Sequence, residues 1–298
     1  MFTVTMIAKP GALAPEMVHS LRNAWGGGDA VWLAPDEAAE FPVRRVPNHW
    51  EDVWSSLQEQ GADLCIQRTG HRRKQLLIAD MDSTMIGQEC IDELADAAGV
   101  GEKVSDITRR AMNGELDFEG ALIERVALLE GLEAGVVDRV LEERITLTPG
   151  GKPLLATMKA NGAHTVLVSG GFTAFAEPLG AELGFDEVQA NRLIVEGGKL
   201  TGEAAPPILG REAKVEALER ACRAKGISPR EAMAVGDGAN DLGMLELAGT
   251  GVALHAKPSV QAACKLRVNH GDLSALLYLQ GYSKGDFLHP PEPEDYAV

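Results

Sequence analysis

Leu76-Leu77-Ile78-Ala79-Asp80-Met81-Asp82-Ser83-Thr84 decides how this chain is read. An apolar run ends abruptly in two carboxylates spaced i, i+2, followed by two hydroxyls. The run predicts a strand buried on both faces, the kind found inside a parallel sheet. The carboxyl end of such a strand is where open α/β sheets place their ligand crevice. Two carboxylates there can divide the work, one attacking or binding a metal while the other moves protons.

Three further segments share this design. His164-Thr165-Val166-Leu167-Val168-Ser169-Gly170-Gly171-Phe172 is a second β-branched run, ending in a hydroxyl and two glycines. Ala232-Met233-Ala234-Val235-Gly236-Asp237-Gly238-Ala239-Asn240-Asp241 is a third, ending in an acid-rich glycine loop. Between them Lys214 lies in a helical stretch from Arg211 to Lys225. The order Asp-x-Asp-Ser-Thr, Ser-Gly-Gly, Lys, Gly-Asp-Gly-x-Asn-Asp resembles the four motifs of haloacid dehalogenase superfamily phosphatases.

Composition sets the outer limits. The 298 residues suffice for a full core plus a second domain. A net charge of −16, from 28 basic and 44 acidic residues, argues against nucleic acid or anionic membrane as a partner. An anionic substrate would need a locally positive pocket, supplied by metal, Lys and Arg. The four cysteines are scattered without a C-x-x-C and read as reduced core residues. No apolar run is long enough to span a bilayer, and Lys9-Pro10 cuts off any signal-like start, so the expectation is a cytoplasmic protein.

Residues 1–72 read as a separate small α+β unit of order βαββαβ, a split-βαβ sandwich. Strands are expected at Phe2–Ala8, Ala30–Leu33, about Phe41–Val46 and Asp63–Gln67, with helices at Pro15–Trp25 and Asn48–Gln60. This unit resembles the small amino-acid-binding modules found ahead of some phosphoserine phosphatases, which implies a regulatory or dimerising role. His71-Arg72-Arg73-Lys74 reads as a solvated linker. Residues 73–298 then form the second domain, a doubly wound parallel, Rossmann-like sheet. Helical spacing through 86–146 marks a helical cap inserted after its first strand and lying over the active-site mouth. A hairpin turns at Gly197-Gly198, and the Pro-rich acidic end from His289 to Asp295 is expected to be disordered.

The resemblance implies roles. Asp80 is the nucleophile that forms an aspartyl-phosphate, and Asp82 is the general acid and then base. Asp80 should stay ionised while Asp82 has a raised pKa. Oxygen ligands and a phosphate substrate point to Mg²⁺, held by Asp80, the backbone carbonyl of Asp82 and Asp237. Ser169 and the amides of Gly170 and Gly171 suit phosphoryl oxygens, as do Lys214 and Asn240. Asp241 is an orienting group behind them.

Substrate choice falls to the cap. Glu89, Met112, Phe118 and Arg125, with the run Thr108-x-x-Ala111-Met112-x-Gly114, are similar to the substrate-binding residues of phosphoserine phosphatase caps. The resemblance covers about residues 75–280. It implies Mg²⁺-dependent hydrolysis of O-phosphoserine to serine and phosphate, the last step of serine biosynthesis, by a possible homodimer joined through its N-terminal unit. Phosphohomoserine or a sugar phosphate is an alternative substrate, and a non-catalytic amino-acid sensor is the alternative from a different class.

Overall fold

The computed structural model describes residues 1–112 and 115–290, without the side chain of Met112. The first sheet consists of β1 (Phe2–Ala8), β2 (Val31–Ala34), β3 (Ala38–Val43) and β4 (Ala62–Arg68), with α1 (Pro15–Ala24) and α2 (Trp50–Glu59) between strands. Its order is β2-β3-β1-β4, antiparallel throughout. The expected βαββαβ sequence is therefore present, with β3 starting earlier than the apolar pattern indicated. Ala38-Ala39-Glu40 has little intrinsic strand preference, and its pairing with Glu40, Ala39 and Ala38 opposite Thr5, Met6 and Ile7 makes the strand.

The larger sheet holds β5 (Leu76–Ala79), β6 (His164–Phe172), β7 (Glu187–Glu196), β8 (Lys199–Ala205), β9 (Ala232–Gly236), β10 (Thr250–Leu254) and β11 (Leu266–Val268). Its order is β11-β10-β9-β5-β6-β7-β8, parallel except for the β7–β8 hairpin. Alternate residues of β5 feed opposite faces. Leu77 and Ala79 join one core, while Leu76 and Ile78 join the other. The helices are α3 (Cys90–Ala97), α4 (Gly101–Met112), α5 (Phe118–Ala127), α6 (Val136–Glu143), α7 (Gly151–Ala160), α8 (Thr173–Leu183), α9 (Arg211–Lys225), α10 (Leu242–Leu247), α11 (Pro258–Ala263) and α12 (Ala275–Leu279). The chain winds from β5 to β6 on one side and returns to β9 on the other. Asp80 and Asp237, just past the ends of β5 and β9, and Ser169, in the irregular last part of β6, are thereby brought to the switch point of three adjacent strands.

Helices α3 to α6 form the insertion between β5 and α7. Its two stems are zipped by a bridge between Ile86 and Leu147 and by the Gly87 amide on the Thr146 carbonyl, 3.0 Å. The hairpin braces it from the side, where the Gly131 amide donates to the Leu200 carbonyl (2.8 Å).

The linker differs from the solvated hinge expected. Arg72 forks onto Glu40 at 2.6 and 3.0 Å, Arg73 lies 4.1 Å over the Tyr282 ring, and Lys74 Nζ donates to the Arg230 carbonyl at 2.8 Å. The first sheet is also fixed directly to the second. Buried Asp63 accepts from the amides of Asn269, His270 and Gly271 at 2.8, 3.0 and 2.8 Å. Arg267 stacks 3.8 Å over Trp54 and pairs with Glu51, while Tyr278 donates to buried Glu37 at 2.7 Å. Ile7, Leu33 and Cys65 belong to the same apolar core as Leu77, Val252 and Tyr278. Arg72 thus ties the linker to the first sheet, while Arg73 and Lys74 tie it to the part that follows.

Candidate active site

β5 runs straight into the catalytic loop because the Asp80 amide still donates to β9, at the Val235 carbonyl (3.0 Å). Beyond it the chain must turn back towards the cap. Ser83 makes that turn with φ +53°, a left-handed conformation that costs a non-glycine residue about 1 kcal/mol. Local bonds hold it: Ser83 Oγ donates to Glu89 Oε1 at 2.8 Å, and the Cys90 amide at the start of α3 donates to Asp82 Oδ1 at 2.8 Å. The second carboxylate of the motif is thus tied to the cap, and the first to the sheet.

Behind Asp80 lies a buried ion cluster. Lys214 Nζ, 1% exposed, is 2.6 Å from Asp80 Oδ1 and 2.6 Å from Asp241 Oδ1. Asp241 Oδ2 accepts the amides of Asp237 and Gly238 at 3.2 and 3.0 Å, so both its oxygens are engaged. Gly236 is required beneath it, since a Cβ there would fall 2.4 Å from Asp241 Cγ. Burial works to lower the Lys214 pKa, but Asp80 and Asp241 more than offset it, and the ammonium is held charged.

One ammonium faces three buried carboxylates. Carboxylate oxygens of Asp80, Asp237 and Asp241 lie within 4.8 Å of one another. The next cation, Lys257, reaches only to 3.9 Å from Asp237 Oδ2. Burial, against the pull of Lys257, raises Asp237 to about 6. Asp80 is also pushed upward, first by burial and then by Asp241, with Lys214 opposing. The ionised Asp80 expected from sequence therefore needs more positive charge than the protein supplies. This donor set fits a divalent, oxygen-liganded cation. Asp241 already pairs with Lys214 through Oδ1 and accepts two amides through Oδ2, whereas Asp80 and Asp237 keep oxygens with fewer partners, and Thr84 Oγ1 donates to Asp237 Oδ1 at 3.4 Å.

Opposite this cluster, Ser169 Oγ donates to Asp82 Oδ2 at 3.1 Å and accepts from the Gly171 amide at 2.8 Å. Enclosure of the carboxyl raises Asp82, and Glu89 adds to it, against the bonds from Cys90 and Ser169. That is the direction a proton donor needs near neutrality. Glycine is needed at 171, where a Cβ would lie 2.7 Å from Asp82 Oδ2. Asn240 folds over Gly238 at the edge of the site, where a Cβ on Gly238 would fall 2.3 Å from Asn240 Oδ1.

The cap brings its residues over this group. Phe118 lies against Gly170 and Gly210. Arg125 is half-buried, with Asp92, Glu89 and Asp82 as its acidic neighbours, and its Nε donates to the Ala121 carbonyl at 3.2 Å. Met112 closes α4, but its side chain and Gly114 lie outside the described residues. Sequence reasoning missed Thr84, Asp92 and Lys257. Thr84 stood in the quoted motif and could have been found, whereas Asp92 and Lys257 look like any helix-start charge.

A family model for haloacid dehalogenase-like hydrolases matches residues 77–246. The chain belongs to that family. It is 43% identical over 256 residues to a phosphoserine phosphatase of Streptomyces coelicolor, a match covering 84% of this chain and 62% of that one. Across the first curated relatives the chain spans 62%, 58% and 65% of their lengths. Among solved structures, a haloacid dehalogenase family hydrolase of Salmonella enterica serovar Typhi superposes with TM-score 0.84 at 29% identity, over 93% of this chain and 97% of that one. A phosphoserine phosphatase solved as a phospho-aspartyl intermediate analogue gives TM-score 0.65 at 40% identity, over 69% and 98%. The α/β sheet of this family, preceded by a separate small antiparallel sheet, is the fold class expected from the sequence.

Proposed function

We propose that this chain is a phosphoserine phosphatase, hydrolysing O-phosphoserine to serine and phosphate in the cytoplasm. The observation that carries the reading is a buried carboxylate, Asp80, paired with Lys214, with a second carboxylate two residues on, Asp82, bonded to Ser169. Asp80, whose Oδ1 is held by Lys214 and the Met81 amide (2.8 Å), attacks phosphorus with a carboxylate oxygen. As the new O–P bond forms, the serine O–P bond breaks, and Asp82 passes its proton to the departing alkoxide. Asp82, now ionised, takes a proton from the water that attacks the aspartyl-phosphate, releasing phosphate and restoring Asp80. Mg²⁺ on Asp80, the Asp82 carbonyl and Asp237 would neutralise charge on the transferring group. Asp241 keeps Lys214 aimed at Asp80, and Ser169, Gly170, Gly171 and Asn240 receive the phosphoryl oxygens.

The cap supplies selectivity in this reading. Glu89 takes the substrate ammonium, Arg125 its carboxylate, and Phe118 with Met112 lines the short Cβ. Residues 1–72 form one domain and 73–298 the other, with the cap at about 86–146. The N-terminal unit serves assembly, as a homodimer, or binds an amino acid. Phosphate release across a panel of phosphomonoesters, with and without Mg²⁺, tests the proposal. O-phosphoserine should lead the panel and require the metal. Preference for a sugar phosphate or phosphohomoserine would overturn the substrate assignment.

A further inference from the structure

Asn191 lies on β7, away from every motif the sequence displays, and is 2% exposed. Its carboxamide is fully used across two distant segments. Nδ2 donates to the Gly170 carbonyl at 2.8 Å and to the Leu209 carbonyl at 3.2 Å, and Oδ1 accepts the Leu209 amide at 2.7 Å. Gly170 sits in the Ser169–Gly171 loop. Leu209 precedes Gly210, the residue that caps α9, whose first turns carry Lys214. The β6–β7 register is irregular between Val168 and Phe172, so backbone groups there leave the regular ladder, and the side chain supplies a partner.

The same floor supports the cap. A Cβ on Gly170 would fall 2.8 Å from Phe118 Cζ, and one on Gly210 3.2 Å from Phe118 Cδ1. The ring therefore rests on the two segments that Asn191 joins. An aspartate there would set a carboxylate oxygen against two carbonyl oxygens, and a serine is too short to reach all three backbone groups.

We propose that Asn191 is a positioning residue. It fixes the Ser169–Gly171 loop relative to the Lys214 helix and holds the seat on which Phe118 closes the cap. This inference rests on the phosphatase reading of the site. It is tested in the full-length protein with Asn191→Ser and Asn191→Asp, the latter keeping side-chain bulk. Misplacing the phosphoryl pocket by a fraction of an ångström should lower kcat/KM for O-phosphoserine about 100-fold. Inorganic phosphate, as a competitive inhibitor, should bind about tenfold more weakly, whereas Mn²⁺ affinity should stay within about twofold, because the open carboxylates stand on β5 and β9. Amide exchange should accelerate selectively at Leu209, and Phe118→Ala should cost less in the Asn191→Ser background than alone. Unchanged phosphate affinity with kcat/KM within about threefold of wild type would overturn the proposal. So would phosphate and Mn²⁺ affinity falling together, or failure of both variants to fold, since either marks a general structural role. If the wild type hydrolyses no phosphomonoester, the phosphatase reading fails, while phosphate binding and Leu209 exchange still judge Asn191.

Discussion

Asp237→Asn should stabilise the protein when no metal is present. The Asp237 side chain is almost wholly buried and its carboxyl is raised from 3.8 to about 6, chiefly by burial and against the pull of Lys257. A raised carboxyl inverts the usual sign. Between these two values the unfolded chain has released the proton while the folded chain still binds it, so stability falls as pH rises from about 4 to 6 and stays low above that. At about 1.4 kcal/mol per pH unit the ionised group costs the fold about 3 kcal/mol. Asparagine keeps the shape without the charge. Urea unfolding followed by circular dichroism, in EDTA, should therefore show the variant ahead by about 2–3 kcal/mol near pH 7.5, with the lead roughly halved near pH 5 and gone below about pH 4. Saturating Mg²⁺ should reverse the order, because only the wild type gains from binding it. A wild type as stable as the variant in EDTA near pH 7.5 would refute the idea that Asp237 is held for a cation.

Arg125→Ala should cost about 2–4 kcal/mol in transition-state binding with O-phosphoserine and much less with phosphoethanolamine, which lacks the carboxylate; equal losses in kcat/KM would remove Arg125 from that role. Lys214→Met leaves Asp80 and Asp241 without their shared ammonium and should destabilise the fold by about 3–5 kcal/mol near neutrality, read by urea unfolding. The raised Lys214 pKa makes its contribution whole below about pH 10.5, to be lost only as pH climbs through the folded value. Asp63→Ala strips three backbone amides of their acceptor and should lower stability by at least about 3 kcal/mol, enough to separate the N-terminal sheet's unfolding from the rest if the two are independent.

Much of this was legible because the chemistry is written in contiguous stretches. An apolar run ending in Asp80, another ending in Ser169 and a third ending in Asp237 each place a functional group at a strand end, and parallel pairing aligns the three. Helical spacing likewise disclosed the cap. The N-terminal order was readable from its turns, but not its attachment. Asp63 bonds a loop some two hundred residues away, and Arg267 meets Trp50 and Trp54 across the same gap. Such partners leave no local pattern, and Arg72 reads as surface charge until Glu40 is seen opposite it. Asn191 was hidden for the same reason, since its partners lie 21 and 18 residues away with no spacing rule to link them. The electrostatics of Asp80 were also out of reach, because they depend first on how deeply Asp80 itself is buried and then on Asp241 and Lys214 beside it.

Covalent catalysis at Asp80 is the central claim, and a rapidly quenched turnover of O-phosphoserine labelled at phosphorus tests it most directly. With Mg²⁺ present, the wild type should carry acid-stable label that maps to the peptide containing Asp80 and is released by hydroxylamine, as an acyl phosphate is. Asp80→Asn should carry no label and turn over at least about a thousandfold more slowly. Full turnover with no trapped label, label on another residue, or an Asp80→Asn variant keeping more than about a tenth of the activity would contradict the account.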